Sequence, residues 1–218
     1  MRHIPDFKQR LGFLGLSILM NATGNGLTIA TAMGSAVWTG SSVNLANWWH
    51  ISLGTTLLLY GIVITITNQL LLGHFDQRRL ISNLLFAFPF SYLVALMTFF
   101  WRQIGVPQAN LIVRLLLDVL GIFIVSAAVS IYQRANLIMH PNDDFAYILR
   151  FKYLHGSAIL GQWLSSTPPV ALTIAAFVAT GQLQAIGFGT LVALTAQGAL
   201  MAWSDRHVFQ RLKHHVDL

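Results

Sequence analysis

The sequence predicts an all-α membrane protein: six transmembrane helices arranged as two inverted three-helix repeats. Three observations lead there. First, 55% of the 218 residues are hydrophobic and only 9% are charged, where a soluble domain carries about a quarter. So little polar surface cannot cover a soluble globule, and lipid is the natural solvent. Second, six apolar runs are long enough to cross a bilayer as helices, which takes about 20 residues. They are 11–33, 51–73, 80–101, 111–132, 154–180 and 186–203. Third, the halves 11–101 and 111–203 share one order of elements: span, long connection, span, short connection, span. The chain 1–218 reads as a single membrane domain. Helices follow because a lone helix satisfies its own backbone hydrogen bonds in lipid, and the alternation of a barrel strand is missing.

Charge sets the orientation. A net charge of +6 would suit nucleic acid if it formed one patch, but the basic residues sit at span ends. With the N-terminus inside, the interior segments hold Arg2, Lys8, Arg10, Arg78, Arg79, Arg134, Arg150, Lys152, Arg206, Arg211 and Lys213. The exterior segments hold only Arg102. Eleven against one puts both termini in the cytoplasm. The opening MRHIPDFKQR resembles a signal peptide, but no small-residue cleavage site and soluble domain follow it. The first run is therefore read as a retained span. The absence of cysteine excludes disulfides and thiolate metal sites.

Span one carries NATGNG, 21–26, with the amides Asn21 and Asn25 and two glycines at mid-membrane. The connection 34–50 has no Lys, Arg, Asp or Glu, and its Trp38, Trp48 and Trp49 suit a headgroup region. It is either an interfacial helix, a segment dipping toward the core, or a loop on lipid, and 135–153 presents the same choice. Span two holds Asn68 and Gln69, which interhelical hydrogen bonds explain. Span four contains Arg114 and Asp118, four apart on one helix face and able to pair. Span five is interrupted by SSTPP, 165–169, in which two prolines remove two backbone donors. Span six carries Gln197 and a stripe of small residues, Gly189, Ala193 and Ala196.

Offsetting the chain by roughly 104 to 108 residues aligns its halves. Gly26 then falls opposite Ser130, Gly73 opposite Gly181, 81–84 opposite 188–191, and Arg114 opposite Arg10. Three spans per unit is odd, so the second unit enters the membrane from the other side. Inverted repeats of this kind build transporters, with the site at the repeat interface near the midplane.

The segment 26–39 resembles the first signature of the YczE/YitT-type bacterial membrane proteins, a Gly-Ile-Ala-Leu stretch leading to Leu-Gly-Ala-x-Pro-Trp-Asp. Gly34 and Trp38 match; Val37 replaces the proline and Thr39 the acid, while the second half keeps Pro141 and Asp143. The run IGFGTL, 186–191, is similar to that family's Gly-Ile-Gly-Thr segment. The resemblance implies a multi-pass protein of the bacterial cell membrane and supplies no substrate.

The residues that could carry chemistry are few. Asp118 is either a proton or cation acceptor partnered by Arg114, or half of a structural pair in which Arg114 snorkels outward. Asn21, Asn25, Ser165, Ser166 and Thr167 border two expected helix breaks, the best sequence pointer to a transporter site; the bland alternative is a kink with close packing. His140, Asp143, Asp144 and His155 include suitable metal ligands but lack any ligand spacing, and 142–144 is expected to cap a helix starting near Phe145. Neither a metal nor another cofactor is expected. No nucleophile elbow, phosphate loop or zinc-protease helix occurs, so no enzymatic activity is expected. The expected function is a small-molecule permease in the lipid bilayer, with the site between the repeats. The alternative is a substrate-capture or accessory subunit docking on another membrane complex. Self-association is open in either case.

Overall fold

A computed structural model describes residues 7–212. Arg2 and Lys213, counted above among the interior basic residues, lie outside the described residues. Eight α-helices run in order: α1 (Phe7–Thr31), α2 (Val37–Trp49), α3 (Leu53–Leu72), α4 (Gln77–Gln103), α5 (Leu111–Ala135), α6 (Pro141–Ile148), α7 (Ala158–Thr180) and α8 (Phe188–His207). A π-helical turn, Leu149–Tyr153, prolongs α6, and no strand occurs among the described residues.

Among the described residues, five helices are long and apolar enough to cross a membrane: α1, α3, α4, α5, and α7 from Leu160. The expected sixth span coincides with α8, which has the length at 20 residues but is not among the five. Its polar residues are the reason: Thr190, Thr195, Gln197, Ser204 and Asp205 dilute the apolar content.

The helix boundaries follow local chemistry. Ser52, Asp76, Asn110 and Ser157 each accept a backbone N–H from the first turn of the helix they open. Gly73 and Gly181, aligned across the halves, close α3 and α7 at φ of 70° and 67°. That left-handed conformation is cheap only without a Cβ.

Two expectations about the backbone are corrected. Asn21–Gly26 lies inside unbroken α1, and Ser165–Pro169 inside unbroken α7. In α7 the hydroxyls of Ser165 and Ser166 bond Gln162 O at 3.0 and 2.9 Å, and Thr167 bonds Trp163 O at 3.2 Å. These side-chain bonds reinforce the turn just before the prolines. The chain breaks instead between α1 and α2 and between α5 and α6. Both long connections contain a helix, α2 and α6, whose first turns are largely buried against the rest of the protein. Trp38 is accordingly no headgroup anchor: it stands edge-on to Tyr60 and Phe145, with centroids 5.4 and 6.2 Å away.

At the centre, α1 and α5 run antiparallel. Arg10 Nη1 donates to Arg134 O and Ala135 O at 2.9 and 3.1 Å, so it meets the C-terminal end of α5. At the opposite end Arg114 Nε donates to Thr31 O at 2.6 Å, so it meets the C-terminal end of α1. Each arginine thus satisfies carbonyls that its partner helix leaves without an N–H. Between them Gly24 faces Gly121, where an added Cβ on Gly24 would come within 2.7 Å of Gly121 O.

The flanking elements repeat this exchange. α4 packs on α1 and α8 on α5; α2 lies mainly against α7, and α6 mainly against α3. Before α6, Met139 and Pro141 are bonded by Ser82, Asn83 and Asn68. Before α2, Ser35 N donates to Ala185 O at 3.0 Å and Gly189 N to Met33 O at 3.0 Å. Each half therefore holds the start of the other half's connection helix.

The Gly24–Gly121 approach predicts a specific sensitivity. Gly121→Ala would place a Cβ 2.7 Å from Thr28 Cγ2 and 3.0 Å from Gly24 O, and should destabilise by about 1–3 kcal/mol. Gly12→Ala in α1 meets nothing within 4 Å and should be neutral or stabilising. Thermal unfolding of the two purified variants in one detergent checks this.

Candidate functional site

A cavity of about 600 Å³ lies between the halves, walled by every helix from α1 to α8. Its depth comes from the two connection helices, whose first turns both face it through Val37, Trp38 and Thr39 of α2 and Asn142 and Asp143 of α6.

The α1 wall is an amide ladder. Asn21 and Asn25 sit one turn apart, 3% and 4% exposed. Asn25 Nδ2 donates to Asn21 Oδ1 at 2.6 Å, and Thr39 Oγ1 of α2 donates to Asn25 Oδ1 at 2.8 Å. Tyr60 and Ser41 share a hydrogen bond at 2.7 Å in the adjoining layer. Gln133, Gln162 and Gln197 add further side-chain amides from α5, α7 and α8.

The α6 wall is acidic. His140 caps the helix, its Nδ1 accepting Asn142 N at 3.2 Å, and Pro141 opens it without an N–H to satisfy. The expected cap at 142–144 is thus corrected: the helix starts four residues earlier than Phe145. The His140 ring is wedged edge-on between Phe86 and Phe90, at centroid distances of 5.1 and 4.8 Å. The Tyr132 hydroxyl donates to the Asp143 carboxyl, while Asp144 has Arg79 3.5 Å away. Asn142 Oδ1 is buried and unpartnered.

The sequence candidates divide cleanly. Asn21, Asn25, Ser165 and Ser166 line the cavity; Thr167 is exposed on the outer face of α7. Arg114 and Asp118 are not in the wall. Nor do they pair as expected: Arg114 turns to the end of α1, and Asp118 Oδ1 accepts from Thr31 Oγ1 at 2.7 Å. Asp118 Oδ2 is buried without a partner against Gly189, where a Cβ would collide with it. The small-residue stripe of α8 is spent in the same place, since Gly189 and Ala193 are buried within the chain. The sequence reading missed Trp38, Thr39, Tyr60, His140, Asn142 and Asp143 as wall residues. The Pro141–Asp143 likeness to the expected signature was the signal that could have found half of them.

A family model matches residues 8–206, nearly the whole chain. The chain belongs to the family of unknown function DUF6198. No curated protein and no solved structure matches it. For a DUF6198 chain, then, fold and site rest on geometry alone: a multi-pass membrane protein with a cavity lined by both polar and apolar side chains.

The α6 end should titrate. Burial first, and neighbouring Asp144 second, push the Asp143 carboxyl from 3.8 up to about 7. Between those values the native state holds a proton that the unfolded chain has lost, so stability falls as pH rises through the window. Asp144 is raised by burial too, with Arg79 opposing. Burial pushes His140 from 6.5 down to about 3, so there the unfolded chain holds the extra proton and stability rises with pH. These slopes oppose one another. We expect His140→Gln, which removes the rising one, to melt at lower temperature as pH goes from about 4.5 to 7. Adding Asp143→Asn should make that decline shallower. Melting curves in detergent across this range test it, and an unchanged slope in the double variant would contradict the assignment.

Proposed function

We propose that this protein is a small-molecule permease whose ligand occupies the cavity between its halves. The observation carrying the reading is the cavity itself: about 600 Å³ of space lined by buried amides, hydroxyls and a carboxyl. Polar groups are tolerated at this depth only where they are buried in protein or line a path for something polar. Its volume falls within the range of small-molecule sites.

The architecture we infer is two inverted three-helix repeats, α1–α4 and α5–α8, with α8 crossing as the sixth span and both termini cytoplasmic. The antiparallel α1–α5 pair, the reciprocal arginine caps and the exchanged connection helices support it. So does the order of packing partners, α4 on α1 as α8 on α5, and α2 on α7 as α6 on α3. The likeness of 26–39 and 186–191 to the YczE/YitT-type signatures points to the same bacterial membrane class. In this reading Arg114 and Asp118 belong to the scaffold joining α1, α5 and α8, and Asp143 is the acid that meets the ligand.

Alternating exposure of the cavity is the test. The chain has no cysteine, so single cysteines report cleanly. Asn47→Cys and Gln182→Cys, near the ends of α2 and α7, should label from outside, and His207→Cys from inside. Ser42→Cys and Ser166→Cys in the cavity wall should become accessible from each side in turn, and lipid-facing Val63→Cys from neither. Access from one fixed side under all conditions would favour a capture or accessory subunit. Labelling of Asn47→Cys only from the cytoplasm would overturn the topology and the inverted repeat together.

A further inference from the structure

We infer that the ligand carries a carboxylate, bound at the N-terminus of α2 with Asn21 as its side-chain donor. The inference rests on the cavity being a ligand site and adds the chemical class of what it holds. The starting point is a difference between the two connection helices. At α6 the N-terminus is closed: His140 caps it, Pro141 has no N–H, and Asp143 and Asp144 lie in its first turn. At α2 none of this is present. The N-cap is Ala36, no side chain caps the helix, and the first turn holds no acid.

The first hydrogen bond of α2 runs from Gly40 N to Ala36 O at 2.8 Å. The amides of Val37, Trp38 and Thr39 thus have no acceptor among the described residues, and these residues line the cavity. Such free amides can bond whatever occupies the cavity, and the dipole there favours an anion.

Asn21 points independently to the same ligand. It is 97% buried and lines the cavity, and its Oδ1 is occupied by Asn25 Nδ2 at 2.6 Å. Its Nδ2 has no protein acceptor among the described residues, so both of its protons are left for what enters. Asn25 Oδ1 is meanwhile taken by Thr39 Oγ1 at 2.8 Å, which ties the amide ladder to the first turn of α2. The Asn21 amide is thus linked through Asn25 to the first turn of α2, while Asp143 lies in the first turn of α6.

Every donor here is neutral, and the one arginine in the wall, Arg150, gives its Nε to Gly156 O at 2.9 Å. Neutral amides suit a monoanion with two planar oxygens. A phosphate dianion calls for cationic partners.

Purified protein in detergent is screened by thermal shift and calorimetry against small carboxylates, each paired with its amide. Carboxylates should raise the melting temperature and their amides should not. Ala36→Ser supplies the missing cap, so it should raise the ligand-free melting temperature by about 2–4 °C. The same change should weaken carboxylate binding about fivefold, because the new hydroxyl occupies the amides. That opposite movement separates a ligand role from a folding defect. Asn21→Asp should weaken binding by about tenfold or more through like-charge repulsion. Equal protection by acid and amide, protection by no carboxylate, or unchanged affinity in Ala36→Ser would each overturn the inference. Proteoliposome uptake keeps it apart from the permease reading. Carboxylate binding without uptake sinks transport alone, and uptake of an amide with no carboxylate binding sinks this assignment alone.

Discussion

The rest of the structure depends on how closely α1 and α5 approach one another. In lipid no hydrophobic gain drives two apolar helices together, so association relies on close packing and on hydrogen bonds that lipid cannot replace. Both appear along this one seam. Gly24 and Gly121 let the backbones meet at mid-length, and Arg10 and Arg114 tie off the carbonyls at either end. Because the arginines grip opposite ends, the seam resists sliding in either direction. The remaining helices are then placed relative to it, α4 on one side and α8 on the other.

A rigid seam explains why the cavity lies where it does. Each connection helix crosses to the other half, α2 to α7 and α6 to α3, and neither fills the space beside α1 and α5. What remains is walled by side chains that no soluble core would leave together: Asn21, Asn25, Tyr60, His140 and Asp143. Burying so many polar groups is costly unless each finds a partner. Several do, through the Asn21–Asn25–Thr39 ladder and the Tyr132–Asp143 bond. Others do not: among the described residues Asn142 Oδ1 is unpartnered in the wall, and Asn68, Asp118, Asp144 and Ser204 each leave a buried atom unpartnered outside it.

The spans were legible because lipid imposes a simple rule: a helix must be apolar for its whole length. Where the rule weakens, as in α8 with its threonines and Gln197, so did the reading. Asn21–Gly26 and Ser165–Pro169 were correctly located as unusual but wrongly read as breaks. Glycine and proline weaken a helix by removing contacts or donors, and here helix packing and the hydroxyls of 165–167 compensate. The packing part of that compensation is tertiary and leaves no trace in local sequence, whereas the hydroxyls act within their own helix. Arg114 and Asp118 failed differently. A spacing of four guarantees a shared face, not a shared bond, and the carbonyl end of α1 outcompeted the carboxylate for Arg114. The alignment of Arg114 with Arg10 contained that answer, since Arg10 meets α5 as Arg114 meets α1. The connection helices were least legible, because their fate depended on a neighbour in the other half.

The two halves share some packing partners, α4 on α1 and α8 on α5, but differ in others, since α3 packs on α4 with no comparable α7–α8 contact, and they differ in chemistry as well. If α2 and α6 ended alike, the cavity would present the same polarity from both ends and would hold a polar ligand in either direction. The sequence removes that equivalence with a handful of residues. His140, Pro141, Asp143 and Asp144 close and acidify one helix start, while Ala36, Val37 and Trp38 leave the other bare. Both helix starts are tied to the seam helices, α6 through the Tyr132–Asp143 bond and α2 through the Thr39–Asn25 bond. The two helix starts differ in chemistry although each packs against the other half of the chain. The determinants of that difference sit on the exchanged connection helices, where the buried His140, Asp143 and uncapped α2 amides are found.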